Sequence, residues 1–298
     1  VKPPPFDYTA PRSLGEALRA LADAAGDGKV IAGGQSLVPL MNFRFARPGL
    51  LVDVNRIPEL TGIRRRDGEL RIGATTRQAD AEQSGIIARG WPLLRQALPH
   101  VAHQQIRNRG TVGGSVAHAD PAAEICSVLL AYGGRVEVAS VRGVREIDAS
   151  DLFVGQFVTT IEADEILTAV VVPPPPAGTG TAFHEVARRH GDFALAGAAA
   201  AVTTDDRGRC ERASLCLLGA APTPIRRAAA EAHLVGNELT DAVLAEAVAL
   251  ATADIEPPSD VHGSSAYRTR AAREMAARAL TEAFARSARD RGQRKEAS

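Results

Sequence analysis

Apolar and polar positions alternate with two different periods along this chain, and the change from one to the other outlines its elements. Leu14, Ala17, Leu18 and Leu21 recur at helical spacing behind Ser13 and Glu16, a capping box, and predict a first helix. Short apolar runs predict strands at 29–31 and 50–54, and the pair Asp67-Gly68 predicts a two-residue hairpin turn between strands around Ile63 and at 70–72. Helices are expected near 76–83, 91–100 and 121–132. After Val170-Val171-Val172, four prolines at 173–176 and then Ala-Gly-Thr-Gly make a stiff connector that reads as a domain boundary. Beyond it come strands at 182–186, 196–203 and 213–218, followed by helices near 224–234, 240–253 and 266–285. Strands followed by helices predict an α+β second domain.

Two glycine-hydroxyl loops interrupt the first half: Ala32-Gly33-Gly34-Gln35-Ser36, and Thr111-Val112-Gly113-Gly114-Ser115, which runs on through His118-Ala119-Asp120-Pro121 to Glu124. Each sets two residues without side chains beside a hydroxyl, so backbone N–H groups can approach an oxyanion while Ser or Thr adds a hydrogen bond. Two such loops suit a diphosphate. The first follows an apolar stretch and precedes a short helix expected from Leu37, where a helix start favours anions. The spacing matches neither the P-loop, which needs Lys after its glycines, nor the Gly-x-Gly-x-x-Gly dinucleotide fingerprint.

Composition narrows the picture without deciding it. The chain has 298 residues, 45% of them hydrophobic, enough for two domains of ordinary size. Lys plus Arg and Asp plus Glu number 35 each, so no global field recruits nucleic acid or anionic lipid. No run of about twenty apolar residues occurs and the first residues lack a signal-peptide core, so a soluble cytoplasmic protein without membrane insertion is expected. Cys126, Cys210 and Cys216 are too few and too scattered for a four-thiolate iron–sulfur site and are expected as buried thiols. The spacing of His100 and His103, with His118 and Asp120, invites a metal reading. No nucleophile–base–acid constellation stands out. Asp120 would repel phosphate at close range, so it is expected on sugar hydroxyls or a ring edge, or as the cap of a helix begun by Pro121, with Glu124 one turn later on the same face.

The chain resembles the FAD-binding medium subunits of molybdenum hydroxylases, the group containing carbon monoxide dehydrogenase and the flavin domain of xanthine dehydrogenase. The resemblance is carried by Ala-Gly-Gly-Gln-Ser at 32–36, by Gln105-Ile106-Arg107-Asn108-Arg109-Gly110-Thr111-Val112-Gly113-Gly114-Ser115, by His118-Ala119-Asp120-Pro121 and by Gly191-Asp192-Phe193-Ala194, and it extends from about Phe6 to about residue 285. It implies an α+β fold: a two-part FAD-binding domain of the vanillyl-alcohol-oxidase type over 1–174, with subdomains of about 1–57 and 58–174. A smaller α+β domain with an antiparallel sheet and helices follows over 178–287, and a disordered tail over 288–298. Expected cofactor contacts are Lys29, Ala32, Gly33, Gly34, Gln35, Ser36, Leu37, Thr111, Gly113, Gly114, Ser115, His118, Asp120 and Glu124. Arg107 is a further candidate for positive charge. The resemblance adds Val101, Ile166, Leu167 and Phe193 near the flavin ring, and it assigns the histidine stretch to flavin, not to metal. One departure stands out: where the family often carries Lys between Phe183 and Val186, this chain has His184 and Glu185.

The resemblance further implies that FAD is this chain's cofactor and that 2Fe–2S clusters sit on a small partner subunit and molybdopterin on a large one, the whole a dimer of heterotrimers. Electrons would pass through FAD to an external acceptor, with no catalytic residue or metal ligand on this chain. Two other classes stay open on the residues alone. A stand-alone flavin oxidoreductase needs its own substrate pocket with acid–base groups, and a non-redox module for a nucleotide-sugar diphosphate would show no flavin spectrum.

Overall fold

The computed structural model describes residues 2–296, with side chains as far as residue 289. It opens with a three-stranded parallel sheet in the order β1 (Asp7–Thr9), β3 (Leu50–Asp53), β2 (Gly28–Ile31). Helix α1 (Leu14–Asp23) covers it with Ala17, Leu18 and Leu21. The expected cap is present: the Glu16 amide donates to Ser13 Oγ at 3.3 Å, and Glu16 Oε2 reaches back to accept from the Arg12 amide at 3.1 Å. Helix α2 (Leu37–Asn42) lies between β2 and β3 in the chain.

The next unit is built on a five-stranded antiparallel sheet, β4 (Ile63–Arg66), β5 (Glu69–Gly73), β10 (Ile166–Val172), β6 (Arg135–Ser140) and β7 (Gly143–Asp148), in that spatial order. Asp67 and Gly68 both take positive φ, 51° and 86°, as a two-residue hairpin turn requires. All seven residues of the central strand β10 are buried. Between β5 and β6 the chain runs through short helices: α3 (Gln78–Gln83), α4 (Gly85–Gly90), α5 (Pro92–Ala97), α6 (Gln104–Arg107), α7 (Val112–His118) and α8 (Glu124–Ala131). Helix α9 (Ala149–Leu152) and the small ribbon of β8 (Phe153–Gly155) and β9 (Val158–Thr159) precede β10.

Trp91 Nε1 donates to the Pro173 carbonyl at 2.9 Å and pins the start of the proline connector. Beyond it, β11 (Thr179–Val186), β12 (Ala196–Thr204), β13 (Cys210–Leu218) and β14 (Ile225–Arg226) form an antiparallel sheet in sequence order, followed by α10 (Ala228–Leu234), α11 (Asp241–Ala251) and α12 (Ser265–Glu296). Side chains alternate across these strands. Ala198 and Ala200 share a core with Ala272, Ala276, Ala279 and Ala283 of α12, while Ala199, Phe183, Cys216 and Leu218 belong to the core of the preceding unit, with Leu98 and Leu129. The C-terminal sheet is thus sandwiched between α12 and the helices of the N-terminal half, and the seam between the halves is a packed one.

Alanine and glycine let α12 lie close. A Cβ on Gly180 would collide with the Ala283 carbonyl oxygen and with the Ser287 amide. Helix α12 also continues to Glu296, so the tail expected over 288–298 begins inside a helix, and its last two residues lie outside the described residues. A run of Arg, Lys, Glu and Ala has good helix propensity of its own. Among the described residues no helix is long and apolar enough to cross a membrane. Replacing Gly180 with Val should destabilise the chain by about 1–3 kcal/mol, measured as a shift of the urea midpoint; an unchanged midpoint would show that the helix is not seated on β11 as described.

Candidate functional site

The first glycine loop leaves β2 at Ala32 and enters α2 at Leu37. Gly34 has φ of 72°, a conformation that side chains disfavour, and Gln35 Nε2 donates back to the Gly33 carbonyl at 3.1 Å. Among the described residues, the amides of Gly33, Gly34, Gln35 and Ser36 find no acceptor in the chain, and the Ser36 hydroxyl does not cap the helix it precedes. Such a cluster of unpaired donors beside a helix start suits an anion.

The second loop differs. Val112 N donates to Thr76 O and Gly113 N to Ala74 O, both at 3.0 Å, while Gly114 N donates to Thr111 Oγ1 and Ser115 N to Thr111 O, both at 3.1 Å. The expectation that both loops offer free backbone donors is therefore corrected: Thr111 is the N-cap of α7, and its hydroxyl accepts the amide the cradle reading needed. What this loop offers is a close surface and a hydroxyl. A Cβ on Gly113 would sit 2.6 Å from Ala74 Cα, whereas one on Gly114 would meet only the Thr111 side chain. Gly114 is exposed and Ser115 half-buried beside it.

The loops meet at Gly33, where a Cβ would lie 2.9 Å from Gly110 Cα and collide with the Arg109 carbonyl oxygen. Two side chains absent from the sequence-derived set hold this contact. Asn55 Nδ2 donates to Ala32 O at 2.7 Å, Arg77 Nη2 donates to Asn55 Oδ1 at 2.8 Å, and Arg77 Nη1 donates to Arg109 O at 2.6 Å. Neither residue belongs to a motif; each follows or precedes a regular element and gains its role only when β3 and α3 are brought together.

Around the cradle, exposed Lys29 on β2 comes near enough to His118 to oppose protonation of its ring. His118 is half-buried and stacked on Phe157 with centroids 4.9 Å apart; burial pushes its pKa below the ordinary value, Asp120 acting against this and Lys29 with it. Asp120 Oδ1 accepts from the Ala122 amide at 2.8 Å, and the Ala123 amide donates to the Asp120 carbonyl at 3.0 Å. This turn delays α8 until Glu124, so Asp120 does not cap a helix beginning at Pro121 and does not share a helix face with Glu124. The two carboxyls still come together in space. Burial pushes Asp120 up, and burial followed by the nearby charge of Glu185 pushes Glu124 up to about 8.

The remaining candidates divide. Val101 is buried, and Leu37, partly buried, opens α2 directly behind the free amides. Ile166 and Leu167 start β10 with their side chains committed to two different apolar cores and a bulge immediately after Leu167, which leaves only main chain for a ligand. Phe193 is 76% exposed on the loop between β11 and β12, a large aromatic outside every core. Arg107 is withdrawn from the charge candidates: it is buried, paired to Glu82 at 2.8 Å, and donates to the carbonyls of Val101 at 3.0 Å and Ala102 at 2.9 Å. His184 and Glu185 point to opposite faces of β11, His184 Nε2 toward Glu282 Oε2 at 2.6 Å and Glu185 into the seam. Among the described residues no group of three or more His, Cys, Asp or Glu side chains could hold a metal, and Cys126, Cys210 and Cys216 are buried and free.

Fold and loops together define a two-unit α+β protein in which a glycine loop with four unpaired amides lies against the segment that leads into a second glycine loop. Residues 4–175 match the family described as the FAD binding domain in molybdopterin dehydrogenase, and residues 181–283 the CO dehydrogenase flavoprotein C-terminal domain. The 6-hydroxypseudooxynicotine dehydrogenase complex subunit alpha of Paenarthrobacter nicotinovorans is 47% identical over 96% of this chain and 97% of its own length. The carbon monoxide dehydrogenase medium chain of Hydrogenophaga pseudoflava is 38% identical over 96% of this chain and 99% of its own. Among solved structures, the carbon monoxide dehydrogenase of that organism lacking the Mo-pyranopterin moiety superimposes with a TM-score of 0.93 at 39% identity, covering 96% of this chain and 99% of the other. The quinoline 2-oxidoreductase of Pseudomonas putida 86 gives 0.92 at 39%, with coverage of 96% and 99%. The chain belongs to the FAD-binding medium-subunit family of the molybdenum hydroxylases and is a flavoprotein oxidoreductase subunit.

The geometry yields two expectations. Gly33→Val should force the loops apart and remove donors to an anionic ligand, weakening FAD binding on the order of tenfold to a hundredfold for each charge-assisted bond lost; Arg77→Ala should act in the same direction through the clamp. Fluorescence titration with FAD checks both, and wild-type affinity in the pair would remove the clamp from the site. For Glu124, the folded-state pKa of about 8 lies above the ordinary 4.5, so the unfolded chain binds fewer protons between those values and stability falls as pH rises from about 4.5 to about 8. Glu124→Gln should flatten that fall in the FAD-free chain, measured as thermal midpoint against pH.

Proposed function

We propose that this chain is the electron-transfer subunit of a molybdenum hydroxylase, holding one FAD along the edge of the seam. The observation that carries the reading is the set of four unpaired amides at Gly33, Gly34, Gln35 and Ser36 laid against a second glycine loop. The chain's own residues fit that cofactor. The free amides with the Ser36 and Ser115 hydroxyls would hold the pyrophosphate, the Cβ-less surfaces of Gly33 and Gly114 would leave room for it, and Lys29 would add charge. Thr111 and Gly113 would fix the second loop in place. Asp120, whose carboxylate would repel phosphate, would serve sugar or ring polar groups, as would Glu124 and His118. Ala32 and Leu37 bound the pyrophosphate loop; Val101, the main chain of Ile166 and Leu167, and Phe193 would line the ring.

When bound, FAD supplies a centre that accepts electrons singly and releases them as a pair. In this reading the protein's task is to bind, orient and shield that centre. Electrons would arrive from 2Fe–2S clusters on a small partner subunit, a large subunit with molybdopterin would oxidise the substrate, and an external acceptor would take the electrons away. The complex would be a dimer of heterotrimers in the cytoplasm.

Purified chain, alone or with its partners, should show flavin absorbance and release FAD on denaturation. Replacing Cys210 and Cys216 together should leave the iron content of the assembled complex unchanged. Absence of flavin from the chain and from the assembly alike would overturn the reading, and loss of iron would show that this chain supplies cluster ligands.

A further inference from the structure

The small ribbon of β8 and β9 turns through Gln156 and Phe157, with Gly155 paired to Val158 across the turn. Phe157 has φ of 60°, a left-handed conformation at the second turn position, where Gly or Asn is the usual choice. A bulky side chain there is a strained exception. Burial does not account for it: Phe157 is 48% exposed, and its neighbours Val154 and Val158 are 59% and 51% exposed. What the ring does touch is His118, in a near-parallel stack with centroids 4.9 Å apart and an angle of 21° between the planes. The backbone beside the stack is tied as well. Phe157 N donates to the Ala119 carbonyl at 3.2 Å, and Ala119, the C-cap of α7, is itself left-handed with φ of 53°. Two bonded backbone positions, neither of them glycine, are thus held in the left-handed region around one imidazole.

A stacked ring keeps its edge uncovered, and both nitrogens of His118 are on that edge. Among the described residues neither nitrogen has a hydrogen-bond partner, and neither is sealed from solvent. Burial holds the pKa below its ordinary value, so at neutral pH the ring offers one donor and one acceptor. Helix α7 sets the face to which the ring belongs. Gly114 and Ser115 lie four and three residues before His118, so they share one face of the helix, with His118 about 5 Å further along the axis. We propose that Phe157 is a positioning residue for the cofactor. Its strained turn presses the ring onto His118 and fixes the imidazole edge one turn beyond the second glycine loop, where it hydrogen-bonds a sugar hydroxyl or ring polar group of FAD. This rests on the FAD reading above, which gives the Gly114 and Ser115 face to the cofactor. Strain persists at a functional position when relaxing it would lose the function. Glycine at 157 would relax the backbone but leave the imidazole free to rotate, and an unfixed side chain must then be ordered each time the ligand binds. The ribbon acts on FAD through His118 alone.

The test uses the full chain, with its partner subunits where FAD loading requires them. Fluorescence titration reads FAD affinity, the thermal midpoint reads the folded state, and NMR of histidine-labelled protein reads the stack, His118 being identified by its absence from His118→Ala. In the FAD-free wild type at alkaline pH the ring protons of His118 should be shifted upfield by the Phe157 ring. That shift should persist in Phe157→Tyr and vanish in Phe157→Gly and Phe157→Asn. Gly and Asn both accept a left-handed turn, so the thermal midpoints of these two variants should not fall. Their FAD affinity should nevertheless drop about fivefold to tenfold, as for one lost hydrogen bond, while Phe157→Tyr keeps wild-type affinity. His118→Ala should lose as much, and adding Phe157→Gly to His118→Ala should lose nothing further. An equal loss from Phe157→Gly with and without His118 would overturn positioning through the imidazole. So would wild-type FAD affinity in Phe157→Gly, or absence of the upfield shift from wild type. A fall in midpoint of both Phe157→Gly and Phe157→Asn would make the ring a structural prop and overturn it as well. In each of these cases wild type still loads FAD and the functional reading stands. If wild type takes up no FAD, alone or assembled, the functional reading fails and the positioning role fails with it.

Discussion

The contact that the rest of the site depends on is the approach of Gly33 to the backbone of Arg109 and Gly110. It brings together two subdomains built on different sheets, one parallel and one antiparallel, and leaves no room for a side chain. Because the second loop satisfies its own amides, it is a rigid floor, and the first loop keeps its donors free above it. Asn55 and Arg77 hold the geometry through carbonyl groups, so the clamp fixes backbone to backbone without using the amides a ligand needs. Gln35 is exposed and Gly34 and Ser36 are half-buried, so water or an anion can meet these donors, while Gly33 itself is buried.

A second constraint comes from the alternation of side chains on the C-terminal sheet. One face packs on α12 through alanines, and the other completes the core of the FAD-binding half. The seam is therefore largely apolar, with polar insertions where Ser214 donates to the Ala131 carbonyl, where Gln96 donates to Thr181 and where Glu185 lies beside His100. Those insertions cost stability unless something offsets them, and a buried carboxyl left without a partner calls for a proton, a water or a ligand.

Much of this was legible in the chain. The capping box at Ser13, the Asp67-Gly68 turn and the strands around the proline connector are local signals, and local signals survive folding. The two glycine loops were visible as motifs, and the family could be recognised from them. What the sequence did not carry was the division of labour between the loops, because whether an amide is free depends on Thr76 O and Ala74 O, which arrive from a distant strand end. Asn55 and Arg77 were missed for the same reason. Strands β6 and β7 were not anticipated, since their Arg and Glu residues pair across strands, as Arg71 does with Glu137 at 2.6 Å and Arg135 with Glu69 at 2.8 Å, and so hide the apolar alternation. Arg107 was a candidate for added positive charge and is a buried strut, an outcome that burial decides and spacing does not.

The central claim is that the first loop's amides hold the cofactor's anion while the second loop's amides are already satisfied. Residue-resolved hydrogen exchange with and without FAD tests it most directly. The account predicts that the amides of Gly33, Gly34, Gln35 and Ser36 exchange freely in the FAD-free chain and become protected when FAD binds, and that those of Val112 to Ser115 are protected in both states. FAD bound with the first-loop amides still exchanging freely, or with protection appearing only in the second loop, would contradict it.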